Sequence, residues 1–138
     1  MDATTLSSHE GDPREIYQFS SKNRDFTLRI RLGYHFIFSF SLIGSEVEKT
    51  EETLSEIMSF AQNVRRRKPS TYMPYGDSID AGFFYGDTDD SNVVIQCTAF
   101  PSDPLYVRMS FDYNMERIAC ADMLEGFVAY VRNEMQKP

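Results

Sequence analysis

Asp87, Asp89, Asp90 and Asn92 crowd oxygen-bearing side chains into one short segment, the kind of cluster that can hold calcium. The calcium-binding helix–loop–helix pattern also needs a central glycine, a bidentate acid closing the loop and a helix on either side. Here the flanks are strand-like and no acid follows Asn92, so Gly86 to Asn92 reads as a polar hairpin turn. Asp77 and Asp80 could pair for acid–base work. Alternation, however, puts Asp80 on the face opposite Ile79 and Phe83, in water, where little perturbs a carboxylate. Nucleophilic catalysis wants a base beside the nucleophile, and the only histidines are His9 and His35. Phosphate-binding and dinucleotide-binding glycine patterns are missing, and so is any Cys/His zinc spacing. The chain is expected to be no enzyme and to carry no cofactor or metal.

Two surface features remain. The first is Arg65, Arg66, Arg67 and Lys68, followed by Tyr72, Met73 and Tyr75. Arginine, tyrosine and methionine are enriched at protein interfaces, although the same residues also suit a helix end followed by a loop folded onto the core. The second is acidity: Glu46, Glu48, Glu51, Glu52 and Glu56 in one stretch, and Asp77, Asp80, Asp87, Asp89 and Asp90 in another. Solvated faces and turns account for such clusters, yet an acidic face also steers a protein onto a basic partner. The candidate protein-binding residues are therefore Glu48, Glu51, Glu52, Asp87, Asp89, Asp90, Arg65, Arg66, Arg67, Tyr72 and Tyr75.

These residues have to be held by elements, and the elements show in the hydrophobic spacing. Every even-numbered residue from Phe26 to Leu42 is apolar, while the odd positions are mostly polar. This is a sheet with one buried and one wet face. Gly33 interrupts it. Parity allows a single strand bent there or a hairpin with the three-residue loop Gly33-Tyr34-His35, and ordinary strand length favours the hairpin. Ile16, Tyr17 and Phe19 make a short leading strand. A first helix follows, with Ser45 and Glu48 at capping-box spacing or a start nearer Thr50. Its apolar stripe is Val47, Leu54, Ile57, Met58, Ala61 and Val64, with Phe60 beside it, and Pro69 stops it. Strands are predicted over 79–85, 93–99 and 105–113. Asn114 is the expected cap of a second helix with the stripe Ile118, Ala121, Leu124, Phe127, Val128, Val131 and Met135. The fold class expected is α+β: two layers, an antiparallel sheet of five to six strands, and both helices on one face, in the order β-β-β-α-β-β-β-α. Residues 1–14 are expected to form a flexible tail and 15–138 a single domain. No solenoid-type repeat and no linker is apparent.

Composition bounds the partners. Fourteen basic residues against 21 acidic ones give a net charge of −7, which argues against general nucleic-acid binding. Cys97 and Cys120 fall in apolar runs and read as buried free thiols, while their spacing also allows a single disulfide between them. The polar start (Met1 to Gly11) has no apolar signal-peptide core, and no run is long enough to span a membrane. A cytoplasmic monomer or homodimer with a protein partner, no nucleic acid and no membrane is the expectation.

The succession FTLRIRLGYHFIFSFSLIG, SEVEKTEETLSEIMSFAQNV, SIDAGFFYG, SNVVIQCTAF and PLYVRMSFDYN, closed by a helix, resembles small bacterial immunity proteins of polymorphic and contact-dependent toxin systems. The likeness spans residues 24–134 in element order and in the acidic first helix; the run Arg65 to Lys68 is not part of it. It implies a non-enzymatic protein that neutralises a cognate toxin or effector through its acidic surface. Two other readings fit the same features: a secretion chaperone or small assembly subunit, and a phage-encoded inhibitor of a bacterial defence system.

Overall fold

The computed structural model describes residues 3–7, 16–32, 36–73, 79–86, 91–99 and 109–137. Its elements are β1 (Ala3–Ser7), β2 (Ile16–Lys22), β3 (Asp25–Leu32), β4 (Phe36–Ile43), α1 (Val47–Arg65), β5 (Ser70–Tyr72), β6 (Ile79–Tyr85), β7 (Asn92–Ala99), β8 (Met109–Glu116) and α2 (Arg117–Met135). The α+β class, the antiparallel pairing and the succession of strands, helix, strands, helix are as the alternation implies. The strands divide between two four-stranded sheets, β1-β2-β3-β4 and β5-β6-β7-β8. The chain thus repeats one plan, four strands and then a helix of 19 residues. The repeat lies in the architecture, not in the letters.

Three segments differ from expectation. Ala3–Ser7, placed by composition in a tail, pairs with β2, Leu6 opposite Tyr17. Ser70–Tyr72, read as loop, is a short strand beside β6. The strand before α2 runs on through Asn114 to Glu116, so Glu116 rather than Asn114 caps that helix. Its carboxylate accepts from the amides of Ile118 and Ala119, both at 2.9 Å. Leu105 and Val107 lie outside the described residues.

The hairpin of β3 and β4 has the predicted parity: Leu32 pairs with Phe36, leaving residues 33–35 between the strands. Asn23 and Arg24 join β2 to β3 with φ of 52° and 64°, both left-handed, a two-residue turn whose twist matches the strands it connects. Helix α1 begins at Val47 with no side chain capping it, so Ser45 is not its cap. Thr50 is the joint instead. It is buried, and its hydroxyl donates to the carbonyls of Ile43 and Glu46 at 2.9 Å each, tying the helix start to the end of β4. Val47, assigned to the apolar stripe, is half exposed because Thr50 occupies the inward position of that turn.

The core is interlaced. Phe19 of the first sheet packs its ring on Phe127 and Tyr130 of α2, each at 5.6 Å. Phe60 of α1 packs on Tyr72 and Phe83 of the second sheet at 6.5 and 6.1 Å. Each half's helix therefore reaches the other half's sheet as well as its own, α2 touching β2, β7 and β8 and α1 touching β4 and β5, and the two helices lie against one another. Leu28, Ile30, Leu54, Ile57, Ile95, Leu124 and Phe127 are fully buried between them. Burying a side chain of this size contributes on the order of 1.5–3 kcal/mol.

Candidate functional site

The outward positions of the first sheet are set by the same alternation that builds the core. With Phe26, Leu28 and Ile30 inward, Asp25, Thr27, Arg29 and Arg31 face out. Register brings Gln18 beside Arg29 and Ser20 beside Thr27 on one side, and Ser41 beside Thr27 on the other. The Thr27 and Ser41 hydroxyls are hydrogen-bonded at 2.8 Å. Lys22 and Arg24 stand at the hairpin tip that adjoins this face. The tip is fixed from behind: the Gly44 amide donates to the Arg24 carbonyl at 2.7 Å. Lys22, Arg24, Arg29 and Arg31 are all exposed, and among the described residues none of them makes an ion pair.

Charge is therefore segregated. Residues 16–44 hold these four cations against Asp25 alone, a net of +3, which leaves −10 for the rest of a chain totalling −7. A sheet face offering guanidinium, ammonium, hydroxyl and amide groups can hold phosphate oxygens, because arginine forms two parallel hydrogen bonds to such an anion and lysine acts as a point charge. Such contacts track a backbone without reading its bases.

The residues singled out by sequence meet different fates. Arg65 is engaged within the molecule: its Nε and Nη2 donate to the two carboxylate oxygens of Glu125 at 2.8 Å each, and Nη2 also bonds Asp122. Those hydrogen bonds hold its guanidinium pKa above the usual arginine range. Tyr72 is 6% exposed, packed against Phe60 and Phe83, and burial pushes its hydroxyl well above the ordinary phenol range. Tyr72 is thus a buried core residue, while Arg65 is partly exposed. Arg66 and Arg67 are exposed in the turn that ends α1, Arg67 with a left-handed φ of 58°. Glu48 and Glu52 are exposed on α1, whereas Glu51 reaches Arg132 of α2 at 3.7 Å. Asp87, Asp89, Asp90 and Tyr75 lie outside the described residues, as do His9, His35 and Asp77. Cys120 is buried and free, so the two cysteines are not joined. Among the described residues no acid, histidine or cysteine cluster could hold a metal ion, and no helix is long and apolar enough to cross a membrane.

Sequence reasoning missed the outer face of the first sheet. The signal was present in Arg29 and Arg31, the charged odd positions of the alternating run, but it vanished in the summed charge.

No family model and no curated protein matches the chain. Two of the solved structures that share its fold illustrate the likeness. One is from the crystal structures of Trypanosoma brucei MRP1/MRP2, with TM-score 0.53 and 10% identity over 96% of this chain and 84% of that one. The other is a guideRNA-binding protein complex bound to a gRNA, with TM-score 0.52 and 10% identity over 95% of this chain and 89% of that one. These likenesses correct the expectation of no nucleic-acid partner. A fold found in a complex bound to guide RNA is the fold of this chain, and an exclusion drawn from net charge does not survive that finding. The physical reason is plain: a field summed over the molecule says nothing of one face whose sign is opposite.

Proposed function

We propose that the chain is a non-enzymatic binding protein for single-stranded nucleic acid, RNA first, held along the outer face of the first sheet. The observation that carries this reading is the set of exposed cations that make no ion pair among the described residues, Lys22, Arg24, Arg29 and Arg31, on one face of an otherwise acidic molecule. The shared fold with a gRNA-bound complex supports it. Phosphates would lie against Arg29, Arg31 and the hairpin tip, with the hydrogen-bonded Thr27–Ser41 hydroxyl pair beside them offering one donor. The test is fluorescence anisotropy with a labelled single-stranded RNA over a salt series. Each phosphate contact adds roughly 0.7 to the slope of log K against log salt, so R29A/R31A should flatten it by about 1.4. An unchanged slope would move the nucleic acid off this face.

A second reading, an inhibitor that neutralises a toxin or effector domain, is favoured by the exposed carboxylates of Glu48 and Glu52 on α1. Reversing Glu48, Glu51 and Glu52 should slow association with such a partner at low salt. An unaltered rate there would count against the helix surface.

A further inference from the structure

A groove of about 440 Å³ is lined by Ser41 and Ile43 at the end of β4, by Met73 just past β5, by Glu46 just before α1, and by Lys49, Glu52 and Glu56 of α1. Strands β4 and β5 are each outermost in their sheet, so the groove adjoins two sheet edges. The edge of β4 has a definite polarity. Because the Gly44 amide bonds the Arg24 carbonyl, the alternation of an antiparallel ladder turns the backbone groups of Ile43 and Ser41 away from β3. The Ile43 carbonyl is taken by the Glu46 amide at 3.1 Å and by Thr50. At Ser41, among the described residues, no further strand lies alongside. Two of the large apolar side chains left exposed rim the same groove, Ile43 at 52% and Met73 at 56%. Glu46 is shared with Lys49 at 3.7 Å, while among the described residues Glu52 and Glu56 make no ion pair.

An open strand edge, apolar rims and uncompensated carboxylates define one kind of occupant. We propose that this groove binds an extended segment of a partner protein in which lysine or arginine alternates with apolar residues. The segment adds as a strand along the edge of β4. Its apolar side chains rest on Ile43 and Met73, and its cations reach Glu52 and Glu56. A polyanion is repelled here by like charge, so the groove and the outer face of the first sheet take ligands of opposite sign. This inference does not rest on the nucleic-acid reading.

The experiment titrates a labelled eight-residue peptide alternating lysine and valine into the intact chain, following anisotropy. Two double variants of equal net charge, E52K/E56K in the groove and D112K/E134K outside it, are compared, with circular dichroism confirming the fold of each. The groove pair should weaken binding at least tenfold and the outside pair less than twofold. The same peptide N-methylated at alternate residues, which cannot complete a ladder, should also bind at least tenfold more weakly. Equal losses in both pairs, or full affinity of the methylated peptide, would overturn the proposal. So would absence of binding. A salt-sensitive dimer in sedimentation that E52K/E56K abolishes and the peptide fails to displace would put a second copy of the chain in the groove and overturn it as well.

Discussion

Single residues in this molecule often serve a different element from the one their position suggests. The end of α1 is closed partly from within and partly from afar. The backbone amides of Arg66, Arg67 and Lys68 donate to the carbonyls of Gln62, Val64 and Asn63, and Arg117, the first residue of α2, donates its guanidinium to those of Val64 and Arg65 at 2.8 and 3.0 Å. Nothing in the local sequence announces that contact, because the partners meet only in the folded chain. Buried titratable groups have a similar hidden consequence. Burial first, and then the nearby carboxylate of Glu116, raises the Cys120 thiol above its ordinary value of 9.0. Burial and then Glu56 raise the Tyr72 hydroxyl above 10.0. An acid whose folded pKa is raised stabilises the fold fully below its unfolded pKa and loses that contribution as pH climbs above it. Urea midpoints should therefore be flat up to pH 9 and fall beyond it. Cys120→Ala should delay the onset toward pH 10, where the tyrosines take over. A midpoint independent of pH between 9 and 10.5 would contradict the burial of the thiol.

At the scale of elements, what could be read from the letters was whatever depends on period. The even-numbered run fixed the parity of β3 and β4, and the stripes of both helices appear in the core at Leu54, Ile57, Ala61, Leu124, Phe127 and Val131. Element ends were less legible. Ser45 has the right spacing for a cap but leaves the role unfilled, and Glu116 fills one that Asn114 seemed to own, since a cap is decided by where the preceding strand stops. Short edge strands such as β5 escape because three residues carry no period. The candidate interface was half legible: Arg29 and Arg31 stand in the pattern, but only the hairpin tip and its support explain how Lys22 and Arg24 join them. Gly44 is the support. A Cβ there would collide with the Arg24 carbonyl and come to 2.5 Å from the Phe26 ring. Gly44→Ala should cost roughly 1–3 kcal/mol, by analogy with overpacking a filled core, read from denaturant midpoints.

Taken whole, the molecule has two like-built halves that share one core. Phe19 needs Phe127 and Tyr130, and Phe60 needs Tyr72 and Phe83, so the halves are mutually dependent. One cooperative transition follows. In native-state hydrogen exchange, the amides of Ile30 in the first sheet and Ile95 in the second should open with the same free energy and the same urea dependence. Phe127→Ala should lower both together by about 3–5 kcal/mol. Separate openings would mean that each sheet survives without the other. The same interlacing bears on biosynthesis. A chain emerging from the ribosome leaves Phe19 without these ring partners until residues 127 and 130 have cleared the exit tunnel, more than a hundred residues later. Translation, or a chaperone attending it, must shield Phe19 and its neighbours throughout that interval.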